Sequence, residues 1–446
     1  MDLKRTLSLL DSTSLMVTSI IGSGIFFTTG YLLNDISSPL GVLLCWFLGG
    51  LFAVSGALTY SYPAVLFPKA GGDYIYLKEA FSPVLAFMSG WSALLANLSA
   101  NIAVLAIAFS DHFLLLFPTL KYTPFYSYSF GFISIHFGIS QLIGFLLISF
   151  FTYINIRGIT YAVRIQNFIT FIKIGGLLLF IVLGFLYGTK DYSNFQTGEV
   201  TPKGIALGMV PVTFSYLGWN MITYLAGEVK DPERNIPLSI LLACFLTIGI
   251  YLAINLLYLI SAPISELKGN DGIGVISASH LFGKWVAPFF TIFILWMVSG
   301  SLSSILMGAS RVYYAMAKDG VFFAGLSELH PIYQTPYKSI LFQGIYASFL
   351  LIFGNIKSLI FMITCAVFLL STLTALTVFK LKASQIKTSY KIPFYPLPPV
   401  LFSLGNLILI IYLTLESWQN TIWGLGISIS GIPIYFLFKK KIIETP

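Results

Sequence analysis

Ile20-Ile21-Gly22-Ser23-Gly24-Ile25-Phe26 is the stretch on which the fold turns. It sits inside an apolar run, yet two glycines bracket a serine there, and each glycine weakens a helix by ~1 kcal/mol relative to alanine. A helix through this run is expected to open at the glycines. A second run is interrupted in the same way, with Pro211 followed by Phe214-Ser215-Tyr216-Leu217-Gly218-Trp219-Asn220. That segment combines a helix breaker, a glycine and a cluster of polar groups near the run's middle. In a bilayer, backbone released from a helix is tolerated only where it faces protein or a water-filled cavity.

The surrounding chain calls for lipid. Its 446 residues carry 25 Lys and Arg and 17 Asp and Glu, so 9% are charged, against ~25% in soluble domains. Apolar residues make up 57% and the mean hydropathy is +0.87, which excludes an ordinary water-soluble enzyme. About 20 apolar residues cross a ~30 Å hydrocarbon core as a helix. Twelve such runs begin near residues 14, 41, 84, 138, 165, 204, 238, 286, 339, 358, 397 and 421. Lys4 and Arg5 precede the first run as in a signal peptide, but no small-residue cleavage pattern follows, so it is expected to remain as a first helix.

Twelve spans put both termini on one side. With the N-terminus in the cytoplasm, eighteen of the 25 cations fall in inner loops and tails and six in outer loops, while Lys173 lies inside the fifth span. Cations concentrate in cytoplasmic loops, so the net charge of +8 reads as membrane orientation in a cell membrane, and no nucleic-acid partner is expected. The four histidines are scattered. Cys45, Cys244 and Cys365 lie in apolar runs without a CxxC spacing, so no metal site or disulfide framework follows. Phosphate-cradling, dinucleotide, nucleophile-elbow and zinc-helix motifs are absent, so neither an enzyme nor a cofactor is expected. The longest loops, 118–137 and 261–285, are too short to fold alone, leaving residues 1–446 as a single membrane domain.

The two interruptions open the first and sixth spans, the leading helices of two five-span halves, where carriers built from inverted repeats place their broken helices. A half-helix N-terminus offers free N–H groups and partial positive charge, which suits a carboxylate. A half-helix C-terminus offers carbonyls, which suit an ammonium. The pair fits a zwitterion.

With these stretches, Phe67-Pro68-Lys69-Ala70-Gly71-Gly72-Asp73-Tyr74, Gly227-Glu228-Val229-Lys230-Asp231-Pro232-Glu233-Arg234-Asn235-Ile236-Pro237, and Ala309-Ser310-Arg311 with Lys318-Asp319-Gly320, the chain resembles the amino acid, polyamine and organocation superfamily, closest to its L-type amino acid transporter branch. The resemblance implies an all-α integral membrane protein of twelve transmembrane helices with the LeuT-type fold. Residues 1–200 would form the first inverted repeat (spans 1–5), residues 201–382 the second (spans 6–10), and residues 383–446 two extra spans and a tail. It also implies that the N–H groups of Gly22, Ser23 and Gly24 receive the substrate carboxylate and that the carbonyls of Ile20, Phe214 and Leu217 receive its amine. Phe214 would close over the substrate and Asn220 would lie beside it.

Lys173 lies nine residues after Arg164, ~13 Å along a helix and close to mid-membrane. An ammonium there costs ~2.5–3.5 kcal/mol even on the gentler scales, so it should face protein and serve something. The resemblance implies that it ties the fifth helix to the broken first one, where sodium-coupled relatives hold sodium, and hence that transport needs no sodium. Two positions depart from the family: Tyr62 stands where members carry a Glu after Ala57-Leu58, and Leu217 where close relatives keep a glycine.

No acid lies at the middle of an expected span; Asp11, Asp111 and Glu416 sit near ends. A dicationic substrate would want a buried carboxylate, so neutral L-amino acids are favoured, carried by exchange or with protons. The rivals are an amine or cationic amino acid antiporter, and a ligand-gated channel or nutrient-sensing receptor using the same pocket. The loop from Pro118 to Phe137 lacks the cysteine with which L-type members join a glycoprotein subunit, so no disulfide-linked partner is expected.

Overall fold

The computed structural model describes residues 3–120, 124–130, 133–196, 198–270, 272–352, 356–386, 388, 390–416 and 418–444. Lys121 and Lys387, used above to orient the chain, lie outside the described residues.

Nine helices among the described residues are long and apolar enough to cross a membrane unaided: Pro39–Leu66, Pro83–Leu116, Ile139–Ile156, Ile159–Tyr187, Pro232–Ser261, Lys284–Lys318, Ala366–Ala383, Leu397–Leu415 and Thr421–Lys439. Three spans complete the set of twelve. The first is split into Leu9–Ile20 and Thr28–Asp35, the sixth into Pro202–Ser215 and Met221–Tyr224, and the ninth is the short helix Tyr337–Leu350. The bundle faces lipid with residues such as Phe150, Phe171 and Leu179, all exposed on their helices.

Several helices begin earlier than the apolar runs. The first starts at Leu9, where the Ser8 hydroxyl accepts the Asp11 N–H and the Asp11 carboxylate accepts the Ser8 N–H, a reciprocal cap. The seventh starts at Pro232, whose fixed φ suits a first turn. Hydropathy marks where lipid begins, whereas caps mark where the helix begins.

The loops hold more structure than their lengths suggest. Pro124–Phe130 pairs antiparallel with Ile133–Gly138, with Ser127 opposite His136. The alternating Tyr126-Ser127-Tyr128-Ser129-Phe130 has the period of a strand, so the purely helical expectation misses one hairpin. The loop after the seventh span contains helices Ile264–Leu267 and Ile273–Phe282. It packs on the second half of the first span, where the Gly30 carbonyl accepts the Gly269 N–H at 2.8 Å.

The end that carries the N-terminus is sealed by residues far apart in sequence. Thr6 and Leu7 N–H groups both donate to the Glu228 carbonyl at 2.9 Å, and Lys230 N–H donates to the Leu7 carbonyl at 2.8 Å. Arg5 reaches the Val229 and Pro68 carbonyls. Beneath this short bridge, Arg311 Nε and Nη2 donate to Glu228 Oε1 and Oε2 at 2.8 and 3.2 Å, both side chains being 1% exposed. Arg311 Nη1 is satisfied by the Met307 carbonyl and the Ser310 hydroxyl.

Breaking a buried pair from one side leaves an uncompensated charge and costs ~3–5 kcal/mol. Glu228→Gln should therefore lower the apparent melting temperature of the purified protein sharply. Glu228→Met combined with Arg311→Met should recover most of the loss. Thermal unfolding in detergent checks this, and an unchanged single variant would mean the pair is not buried.

Candidate functional site

The two interruptions meet at the centre of the bundle. Helix Leu9–Ile20 ends with Ile21 as its cap, the chain makes one tight turn at Gly24–Phe26, and helix Thr28–Asp35 resumes. The sixth span leaves its helix at Ser215 and resumes at Met221. Each opening is fitted to the other through a glycine. A Cβ on Gly24 would lie 2.6 Å from Ser215 Oγ, and a Cβ on Gly218, whose φ is +100°, would lie 2.7 Å from the Ser19 carbonyl oxygen. Tyr251 of the seventh span ties the two together, its hydroxyl placed 3.0 Å from the Ile20 carbonyl and 3.1 Å from the Ser215 carbonyl.

A helix that stops in mid-bundle leaves its last carbonyls without partners. Here they are met by a cation: Lys173 Nζ donates to the Ile21 carbonyl at 2.7 Å, the Thr18 carbonyl at 3.1 Å and Ser301 Oγ at 3.2 Å. Ser301 Oγ lies 2.8 Å from the Thr18 carbonyl. Lys173 is fully buried and among the described residues has no carboxylate partner. The ammonium thus sits in a cage of three oxygens from the first and eighth spans.

The other expected site residues fall into two groups. Ser23 and Gly24 N–H groups have no hydrogen-bond partner among the described residues, and Leu217 and Asn220 line a cavity. The Gly22 N–H donates to the Ile20 carbonyl at 2.9 Å, and the Phe214 carbonyl accepts the Leu217 N–H at 3.0 Å, so these three groups are satisfied within the protein in this conformation. The Phe214 ring packs against Ala100 and Val104, and Phe214 is not among the cavity-lining residues. Tyr62 packs with Ala80, Val378 and Leu381, away from the cavity.

The cavity is lined by Leu217, Gly218, Asn97, Asn101, Asn220, Tyr224 and Asp73, together with Ile305, Val367 and Ser371. Asn97 reaches it from a π-helical turn, Ala93–Asn97, inside the third span, a distortion common where a helix presents side chains to a site. Asp73 corrects the reading of the acids. It follows the second span in what the sequence shows as a loop, yet it is 7% exposed and accepts Tyr224 Oη at 2.6 Å. Burial pushes its carboxyl above the ordinary carboxylate range, and the hydroxyls of Tyr224, Tyr60 and Thr374 pull it part of the way back. The usable signal was the pair Gly71-Gly72 just before it, a turn that can bring backbone into close contact. Cys45 and Cys244 are free and buried; the side chain of Cys365 lies outside the described residues.

Two broken helices meeting at the centre of a twelve-span bundle, with a polar cavity leading from their junction, define a multi-pass membrane transporter. Residues 7–434 match the amino acid permease family, and the chain belongs to it. It is 28% identical to the human "Large neutral amino acids transporter small subunit 2", covering 98% of this chain and 80% of that one. It is likewise 28% identical to the serine/threonine exchanger SteT of Bacillus subtilis (strain 168), covering 98% of both. The human b(0,+)-type amino acid transporter 1 is 26% identical over 98% of this chain and 88% of its own length.

The interlock of the breaks is testable at Gly218. Its left-handed φ and its approach to the Ser19 carbonyl both exclude a side chain, and strain of the first kind alone costs ~1–3 kcal/mol. Gly218→Ala should lower the apparent melting temperature and abolish uptake. Gly175→Ala, on a fifth-span face with nothing within 4 Å, should be neutral. Equal behaviour of the two variants would contradict the close approach.

Proposed function

We propose that this chain carries neutral L-amino acids across the membrane by alternating access without sodium, as an exchanger or together with a proton. The observation that carries the reading is the Lys173 ammonium at the break of the first span. Carbonyl and hydroxyl oxygens are the ligands that hard cations take, and here a covalently attached cation fills them. A fixed charge leaves no vacancy for a mobile one. The partnerless N–H groups of Ser23 and Gly24 favour a carboxylate at the start of the reopened helix. The substrate ammonium is assigned to the Leu217 carbonyl, with the Ile20 and Phe214 carbonyls and the Gly22 N–H joining as their internal bonds yield. Asn220 lies beside this site, and Phe214 is assigned the closing role. The repeats are assigned to residues 1–200 and 201–382, both termini to the cytoplasm, and no disulfide-linked subunit is required.

Asp73 in the cavity lining favours a second reading, a carrier of cationic amino acids. Counterflow in proteoliposomes separates these readings from each other and from a channel or receptor. Labelled L-leucine should accumulate against unlabelled L-leucine, and L-lysine should compete poorly; a channel or receptor would show no counterflow. Replacing sodium with choline should leave uptake unchanged. Lys173→Ala should cripple transport in protein that still purifies as a monodisperse species. Sodium-stimulated uptake, or full activity of the alanine variant, would refute the reading.

Leu217 supplies a prediction about selectivity. Its isobutyl group occupies the cavity wall where a glycine would leave space, and relieving one overpacked contact is worth ~1–3 kcal/mol. Leu217→Gly should improve competition by bulky neutral amino acids by about one to two orders of magnitude. It should weaken small ones, because backbone freedom at this turn rises at a cost of roughly 1 kcal/mol. Uniform loss for all substrates would place Leu217 outside the substrate's reach.

A further inference from the structure

Two acids are buried at the terminus-bearing side of the bundle, and they are treated differently. Glu228 has its own guanidinium in Arg311. Asp73 has none: among the described residues it makes no ion pair, and its buried Oδ1 makes no hydrogen bond of ordinary geometry, although the Tyr60 and Thr374 hydroxyls lie near enough to act on the carboxyl. The hydroxyls of Tyr60 and Tyr76 nearby are also buried without such a bond.

The position of Asp73 is tightly set. Gly71 N–H donates to the Tyr224 carbonyl at 3.0 Å, and Tyr224 Oη donates to Asp73 Oδ2 at 2.6 Å. A Cβ on Gly72, whose φ is +53°, would lie 2.5 Å from the Tyr224 ring. The turn before Asp73 is thus pressed onto the second half of the sixth span, and the carboxylate lines the same cavity as Leu217. A buried carboxylate oxygen without a partner costs free energy unless a donor or cation meets it.

We propose that Asp73 Oδ1 is a second docking point for the substrate's α-ammonium, occupied as the amino acid passes between the broken helices and the side of the membrane that holds the termini. This rests on the carrier function proposed above. The chemistry required is one ammonium group, which every amino acid brings. Both points line one cavity, to which Asn97, Asn101 and Asn220 add neutral hydrogen-bonding groups. Asp73 is then a binding residue for one leg of the cycle only.

The test is sided. In proteoliposomes of uniform orientation, counterflow of labelled L-leucine is measured while unlabelled L-leucine is titrated first on the terminus side and then on the opposite side. Losing a hydrogen bond to a charged group costs about 10- to 100-fold in affinity. Asp73→Asn should raise the half-saturating concentration by that factor on the terminus side and change the opposite side by less than about twofold. Tyr224→Phe, which keeps the carboxylate, should give a smaller shift on the same side. It carries the test where Asp73→Asn cannot be purified, and a Tyr224→Phe protein with no sided shift then overturns the proposal. Equal losses on both sides would make Asp73 a brace and overturn it. A sided shift seen with L-lysine and not with L-leucine would assign the site to a side-chain ammonium, and a change confined to pH dependence would assign it to a proton; either overturns it. No counterflow of any amino acid in the unmodified protein would sink the carrier reading itself, and this proposal with it.

Discussion

An ammonium without a counter-ion, held on the last carbonyls of an interrupted helix, is the interaction on which the centre of this molecule depends. Once the first span stops at Ile21, the Thr18 and Ile21 carbonyls face the interior of the bundle, where no water is assured. Lys173 and Ser301 satisfy them from two neighbouring spans, so groups of the chain itself hold the break in place. Everything nearby follows from that stop. The chain can reverse at Ser23, the second break can press Gly218 against Ser19, and Tyr251 can bridge both.

The buried charges form a pattern of sign. The Arg311–Glu228 pair is neutral and sits under the seal at one end. Among the described residues, the two buried charged groups without an ion pair are Lys173, beside the breaks, and Asp73, in the lining of the cavity. A zwitterion between them meets positive character where its carboxylate is assigned and negative character where its ammonium would leave. The cost of burying each lone charge is met differently: Lys173 by fixed dipoles, and Asp73 by phenolic hydroxyls on one oxygen only.

Much of this was legible in the chain. The glycines at 22, 24 and 218 marked the breaks because helix geometry makes glycine costly wherever it is not needed. Lys173 was conspicuous because a cation nine residues inside a span has no bland explanation. The burial of Asp73 and Glu228 was not legible from hydropathy, which places a residue in water by its sequence neighbours, and both lie in short polar stretches between spans. Their burial comes from contacts made across the fold, Glu228 with Arg311 and Asp73 with Tyr224. Phe214 illustrates the opposite limit, since its position at the break was clear while its ring direction, toward Ala100 and Val104, was set by the third span.

The seal at the N-terminus bears on how the protein is made. Leu7 pairs with Val229 and Glu228, which leave the ribosome roughly 220 residues later, about 10–45 s at ordinary rates of synthesis. Arg311, which neutralises Glu228, emerges later still. Throughout that interval the Thr6 and Leu7 N–H groups lack the Glu228 carbonyl they will meet, because six spans precede it in the chain. This seal therefore closes only after the segment from Glu228 to Lys230 has been made, however early Thr6 and Leu7 appear.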